Sequence, residues 1–539
     1  DNVALGFQAL KGLTTGDDNV AIGSYALLAQ TDGVGNVAIG KNAMKGAEDS
    51  EAYNVAIGSN TMSTLTSDAA HHNIAIGYTS LNGGTSTGAG NIAIGSYALL
   101  SSSMAVDNIV AIGYESLKAL TTGTGNLGIG YQAGLNLTTG TSNTIIGHEA
   151  GVSQDDCTGN TIIGYRANQG ALSAGGGDSN TGVGSQCLGQ QNETTGSNNT
   201  CLGAVSLTYL SSGAGNTAIG KSSLGAVTTG GYNTAVGYSS GHLLLDGINN
   251  TLMGYAAGYY LGSALADDNT FIGYKAGFSG ETDNADGNTA TDNVAIGSMA
   301  MGGNTGSETA NLFTAYSMVA IGKNAGFSMT SGKQSVFIGQ GAGYAVTTGI
   351  TNVFLGHDAG DGVTTGSTNV CIGYGADTDT NSRGGCIVIG SGLSLNTASD
   401  NVVEIGNNTN SMTYDLDGGD ITVTSDVRTK KNIKGTKLGL EFINKLRPIT
   451  YQTKPTSQYP KEFGIENPSK KSSNKTWDGL IAQEVKEVMD DMDVGFSGWE
   501  EGINTKQRLA YGKFVMPLIK AVQELSAEVK QLKKQLEDK

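Results

Sequence analysis

The chain has 539 residues, with 83 glycines, 5 prolines, 15% charged and 6% aromatic residues, and a formal net charge of −17. An acidic chain is a poor partner for a phosphate backbone, which sets nucleic-acid binding aside. The sequence has no apolar run long enough to cross a membrane as a helix and no signal peptide.

Charge and proline divide the chain in two. Residues 1–424 hold 10 Lys+Arg against 32 Asp+Glu, a net −22; residues 425–539 hold 21 against 16, a net +5, and the two add to −17. All five prolines (Pro448, Pro455, Pro460, Pro468, Pro517) and both tryptophans (Trp477, Trp499) fall in the second region. More than 400 residues without proline suit unbroken strand ladders. The five cysteines (Cys157, Cys187, Cys201, Cys371, Cys386) are odd in number and form no metal or redox motif. Cys201 and Cys371 stand where other repeats have alanine, so they read as small buried apolar residues, consistent with assembly in a reducing cytoplasm.

From the N-terminus the sequence is periodic. Asn-Val-Ala-Ile-Gly at Asn19 returns at Asn36, Asn54, Asn73 and Asn91. Variants at Asn143, Asn160 and Asn352 carry it on to Asn401. The usual step is 17 or 18 residues, the mark of a solenoid. Each motif reads as a short strand ending at a glycine turn. Val20 and Ile22 point one way and Ala21 the other, and all three are apolar. Such a strand needs cover on both faces. The coil interior supplies one cover; other copies of the chain, most simply three around an axis, supply the second. The half-repeat Tyr25–Leu28 predicts another short strand. A Thr-Thr-Gly turn follows in several repeats (Thr14–Gly16, Thr121–Gly123, Thr347–Gly349). Residues 1–410 thus predict about 23 coils, a rod on the order of 110 Å long at ~4.8 Å per strand. Two polar insertions, Phe278–Asp292 and Ser298–Tyr316, are expected to project from it. The chain begins within a repeat, and an upstream attachment segment is expected.

No metal or cofactor is expected. His71-His72 lacks a ligand pattern, and His148 and His357 occupy the slot that is tyrosine at Tyr131, Tyr165, Tyr255 and Tyr274. Asp283–Gly287 fails the spacing of a calcium loop. No paired carboxylates recur in the manner of a glycosidase.

Residues 411–424 leave the repeat, and Ile421–Thr424 reads as a last strand. Residues 425–517 are Lys-rich, with helical periods at Leu438–Leu446 and Asp478–Met489. In residues 518–539, Leu518, Val522, Leu525, Val529, Leu532 and Leu536 are spaced 4, 3, 4, 3, 4, which predicts a three-heptad parallel coiled coil. The fold class is therefore mainly β: a repetitive trimeric β-roll or β-solenoid shaft, a small α+β domain and a terminal coiled-coil helix.

The Asn-x-Ala-Ile-Gly array resembles the head of trimeric autotransporter adhesins, with a longer step. That resemblance implies a left-handed trimeric β-roll and adhesion. The C-terminal region carries four ordered blocks: Ser425-Asp426-Val427-Arg428-Thr429-Lys430-Lys431-Asn432-Ile433, then Leu440–Tyr451, Asp478–Val485, and Tyr511–Phe514 leading into Leu518–Leu525. Together they resemble the intramolecular chaperone of phage tail spikes and fibres, the self-cleaving endosialidase-type peptidase, with Thr429 where that family usually has leucine. The resemblance implies a Ser425–Lys430 dyad that cuts between Thr424 and Ser425 after the trimer has folded.

The chemistry fits the residue types. Serine is a weak nucleophile until a base takes its proton. Lysine becomes that base when burial or nearby cations favour its neutral form. Arg428 and Lys431 stand close in sequence, and Asp426 and Asn432 are candidates to orient the dyad or stabilise an oxyanion. The expectation is a homotrimeric phage tail fibre, assembled in the host cytoplasm and carried on the virion. It would bind a host surface receptor, glycan or protein, and meet other tail or baseplate proteins. Its one reaction would be single-turnover self-cleavage. A bacterial surface or injection-system fibre with the same chaperone, or a polysaccharide-depolymerising tailspike, are the alternatives.

Overall fold

The computed structural model describes the chain except residues 48–50, 65–69, 84–87, 102–104, 171–176, 190–194, 263–265, 279–288, 304–313, 379, 396–398, 417–420, 424–426, 428–429, 461–470, 472–474, 503–505 and 539. The bulk of the two expected projecting loops lies outside the described residues. The chain divides into two compact units, Asp1–Thr424 and Ser425–Lys539.

In the first unit each repeat is one solenoid coil. Its strand is three residues long, as at Val20–Ile22, and pairs in parallel and in register with the strands before and after it. The parallel ladder runs from Val3–Leu5 to Val402–Asn407. As expected, Ala21 faces inward and is fully buried, while Val20 and Ile22 are half-buried on the outer face. Gly23 turns the corner at φ 131°, and a β-carbon there would lie 2.6 Å from the carbonyl of Gly40 in the next coil. Only glycine satisfies both the backbone angle and the close approach.

The second half of the repeat differs from the expected strand. Tyr25 (φ 65°) and Leu27 (φ 48°) are left-handed, and the segment is a pair of turns. A short coil must bend without losing its axial hydrogen bonds. The left-handed residues do this: the Tyr25 N–H donates back to Phe7 O (2.8 Å) and the Leu27 N–H forward to Ala43 O (3.0 Å). Such angles strain a non-glycine residue, and bonds to both neighbouring coils hold it there.

The interior is filled by exchange of volume between two positions six residues apart. In most coils whose strand centre is alanine, as at Ala21, Ala38 and Ala56, the left-handed residue is large: Leu27, Met44, Met62. Where the centre is Leu or Phe, as at Leu252, Phe271, Phe337 and Phe354, the later residue is glycine. A β-carbon on Gly277 would lie 2.2 Å from Phe271, and one on Gly360 2.4 Å from Phe354. Coils small at both positions, Gly128 with Gly134, Ala235 with Gly241 and Ala320 with Gly326, are filled from the adjoining coils. A β-carbon on these later glycines would meet Leu117 and Ile145, Leu224 and Leu252, or Met301 and Phe337, as close packing requires.

The repeat's asparagine forms a second buried column. The Asn36 N–H donates to Asn19 Oδ1 (2.9 Å), and Asn36 Nδ2 donates to Glu51 O (2.7 Å). The pattern recurs along the shaft, for instance at Asn143, Asn160 and Asn250. Each amide satisfies backbone groups that the coil would otherwise bury unpaired. All five cysteines are buried free thiols, as expected. Burial pushes the Cys157 thiol up to about 12.

The shaft closes by reversing direction. Ser411–Asp415 pairs antiparallel with Val402–Asn407, and Ile421–Val423 pairs antiparallel with Ser411–Asp415. This hairpin covers the last open edge of the ladder, which would otherwise invite pairing with another chain.

The second unit holds helices α1 (Leu440–Lys445), α2 (Ala482–Asp491) and α3 (Val515–Glu537) with two small hairpins. One hairpin pairs Ile449–Tyr451 with Trp477–Gly479, the other Trp499–Glu501 with Gln507–Leu509. The helix expected from Asp478 starts four residues later, because Trp477–Gly479 is claimed by the first hairpin. Phe442, Val485, Met489, Phe496 and Phe514 form the core.

Candidate functional site

The separated sequence blocks of the second unit meet through a few specific bonds. Glu524 on α3 accepts a hydrogen bond from the Leu440 N–H at the start of α1 (2.7 Å). That end has no side-chain cap of its own, so a carboxylate from a distant helix serves instead. The Leu440 N–H, and then Lys520, hold the Glu524 carboxyl below its ordinary range. Gly439 makes room: a β-carbon there would lie 2.2 Å from Glu524 Oε2.

Tyr511 plays the matching part for the first hairpin. Its hydroxyl accepts from the Leu480 N–H (2.9 Å), and a β-carbon on Gly479 would come within 2.5 Å of it. Arg447 grips Glu484 with two donors, Nε to Oε2 at 3.1 Å and Nη2 to Oε1. Lys445 joins Asp491 (2.7 Å) and holds that carboxyl below its usual range. An apolar recess of about 430 Å³ opens between Ile443, Leu446, Leu480, Tyr511, Phe514 and Leu518.

From Leu518 onward, α3 carries its heptad residues unpaired in the single chain. Leu518, Val522, Leu525, Val529, Leu532 and Leu536 are all exposed, by 43% to 75%. A row of leucine and valine so open to water is the surface that helix association buries.

Of the residues expected to cut the chain, Thr424, Ser425, Asp426 and Arg428 lie outside the described residues. Lys430, Lys431 and Asn432 are exposed in the single chain. The Lys430 N–H donates to Val427 O (3.1 Å), and Asn432 is left-handed at φ 54°. The described residues therefore do not bring two members of the dyad together.

The histidines are surface residues of the coils. His71 Nδ1 accepts from the Ala52 N–H (3.0 Å), His72 stacks on Tyr53, and His148 and His357 stack on tyrosines of adjoining coils. Among the described residues no group of three or more His, Cys, Asp or Glu is placed to hold a metal ion.

Sequence reasoning missed the pairings Glu524–Leu440 and Tyr511–Leu480. The signal was present as glycines, Gly439 just before one block and Gly479 inside another, each where a β-carbon would meet the distant partner.

Residues 425–493 match a protein-family model described as chaperone of endosialidase. The match begins at Ser425, two residues after the last described strand of the shaft, and covers 69 residues (425 to 493) of the 539. No curated protein and no solved structure matches the chain. A β-solenoid shaft followed by a region that matches the endosialidase chaperone model suggests a protein similar to tail fibres and tailspikes.

Proposed function

We propose that this chain is a homotrimeric phage tail fibre whose C-terminal unit directs trimer folding and then severs itself from the shaft between Thr424 and Ser425. The observation that carries the reading is the position of the family match. It starts at the serine that follows the shaft's last strand.

The need for a chaperone follows from the shaft. Its outer strand face presents Val, Ile, Leu or Thr at the first strand position and Ile, Val, Leu or Met at the third, half-exposed or exposed along the ladder. Three copies that turn these stripes toward one axis bury them, which follows from hydrophobic burial at roughly 25 cal/mol per Å². The pairing is non-local and slow to find. Joining three α3 helices first raises the local concentration of the shafts and fixes their register.

Cleavage then follows chemically. Ser425 Oγ attacks the carbonyl carbon of Thr424, its proton passing to Lys430 and on to the departing Ser425 nitrogen. The peptide bond becomes an ester, and water hydrolyses it to a Thr424 carboxylate and a free Ser425 amine. A lysine acts as base where its surroundings disfavour its charge. Lys430 is exposed in the single chain, so the assembled trimer supplies those surroundings. Cutting is thereby tied to assembly, and removal of the unit leaves the shaft kinetically trapped. The shaft would then serve host attachment on the virion.

Intact mass under native and denaturing conditions tests this. Wild type should yield fragments of 424 and 115 residues (1–424 and 425–539) from a trimer. Ser425→Ala and Lys430→Ala should each leave one full-length chain. A wild-type trimer that stays uncut overturns the dyad.

A further inference from the structure

Beside the outer strand face runs a second surface feature, a ladder of aromatic rings. Tyr78, Tyr97, Tyr114, Tyr131, His148 and Tyr165 come from six consecutive coils. Successive ring centroids lie 5.4, 5.9, 5.5, 4.8 and 5.5 Å apart. The last four are stacked within 10° to 30° of parallel. A shorter ladder, Tyr238, Tyr255 and Tyr274, stacks at 5.5 and 5.4 Å. Tyr114, Tyr131 and Tyr165 remain 41% to 47% exposed.

The fold does not require these rings. Tyr97 lies one residue later than the other five, which directly follow the corner glycine; Ser185, Ala204, Lys221 and Ser298 stand in that slot, and their coils keep the same strand register and the same glycine corner. Nor do the rings follow the pattern of a seam between copies. The aliphatic stripe continues through every coil, as a self-association face of a rod must, whereas the aromatic slot is filled in separate patches. A local ligand fits that distribution better than a sister chain.

The residues after Tyr114, Tyr131, His148 and Tyr165 give the ligand its chemistry. Glu115, Gln132, Glu149 and Arg166 form a polar row parallel to the ladder. Gln132 Nε2 donates to Glu115 Oε2 (2.7 Å), and Arg166 Nε donates to Glu149 Oε2 (2.6 Å). Lys118 Nζ donates to Glu115 Oε1 (2.7 Å) and Gln169 Nε2 to Glu149 Oε2 (3.0 Å). The charges of Glu115, Glu149, Lys118 and Arg166 sum to zero, on a shaft of net −22. A polyanion is repelled by that field. A flat, ribbed apolar strip edged by alternating donors and acceptors suits a polymer with apolar ring faces and many hydroxyls.

We infer that the Tyr78–Tyr165 ladder is a binding site for a neutral linear glycan lying along the shaft. This rests on reading the shaft as a host-attachment rod, and it names the class of receptor.

The test is calorimetric titration of the full-length protein with neutral linear hexasaccharides (glucan, mannan, galactan and N-acetylhexosamine types), with dextran sulfate as the polyanion. At least one neutral glycan should bind and dextran sulfate should not. The triple variant Tyr114→Ser, Tyr131→Ser, Tyr165→Ser uses a residue the slot already tolerates and should weaken binding about 100-fold. Tyr131→Ser alone should weaken it about tenfold, which covers the case of a triple variant that does not fold. Binding by no neutral glycan, or binding unchanged in Tyr131→Ser, overturns the site. So does loss of the trimer in Tyr131→Ser, which would make the ladder a contact between copies. The native mass of the wild type, read from the same sample, reports separately on the trimeric fibre reading.

Discussion

The shaft and the C-terminal unit solve stability in opposite ways. In the shaft one small set of rules is repeated coil after coil: a buried asparagine, a three-residue strand, a corner glycine and a volume exchange. No coil holds unique information, and none holds much stability without its neighbours, as in other repeat proteins. In the C-terminal unit nothing repeats apart from the heptads of α3. Short elements are fastened by single long-range bonds such as Glu524 to Leu440 and Tyr511 to Leu480. The comparison teaches that the shaft's difficulty is register while the C-terminal unit's is specificity, which is why the second can guide the first.

Four changes would break or sharpen that contrast. The largest effect is expected from deleting residues 425–539: shafts alone should fail to form soluble trimers, and sedimentation velocity should show aggregate. Next is Phe354→Ala. Its coil has no large partner, only Gly360, so the change should cost about 3–5 kcal/mol of shaft stability. Adding Gly360→Leu should recover most of the loss in a denaturant titration, because that pair copies the Ala21–Leu27 arrangement. Third, Gly147→Ala places a β-carbon 2.3 Å from Gly164 O at φ 139°. It should destabilise the shaft by roughly 2–4 kcal/mol and lower its melting temperature. The smallest effect is in the other unit. Because the Glu524 carboxyl is held below its ordinary range, its contribution is present above that range and is lost as the pH falls through the lowered value. The tryptophan-detected unfolding midpoint, which reports only the unit holding Trp477 and Trp499, should therefore fall in acid. Glu524→Gln should flatten that fall.

Much of the shaft was legible because period, strand and corner glycine are local signals. The interior role of Ala21 and the buried cysteines followed directly. The turn at Tyr25–Leu28 was not legible, since Tyr, Ala and Leu carry no preference for left-handed backbone; the bonds to neighbouring coils impose it. The size exchange was visible in principle as Phe271 with Gly277 and Ala21 with Leu27, but it emerges only when repeats are aligned at a separation of six. In the second unit the blocks were recognisable, while the partner of each was not, because Gly439 and Glu524 lie far apart in the chain. Ser425 and Lys430 were legible as residue types at a suggestive place, and Ser425 lies outside the described residues.

The volume exchange has a consequence for how such rods change over generations. A coil that fills its own interior, such as Ala21 with Leu27 or Phe354 with Gly360, can be duplicated or dropped without refitting its neighbours, whereas one such as Ala320 with Gly326 moves only together with the coils that fill it. Reach then becomes an adjustable quantity, lengthened in increments of ~4.8 Å for every 17 or so codons gained. Patches of surface chemistry can be moved up or down the rod by the same recombination, with the hidden scaffold untouched.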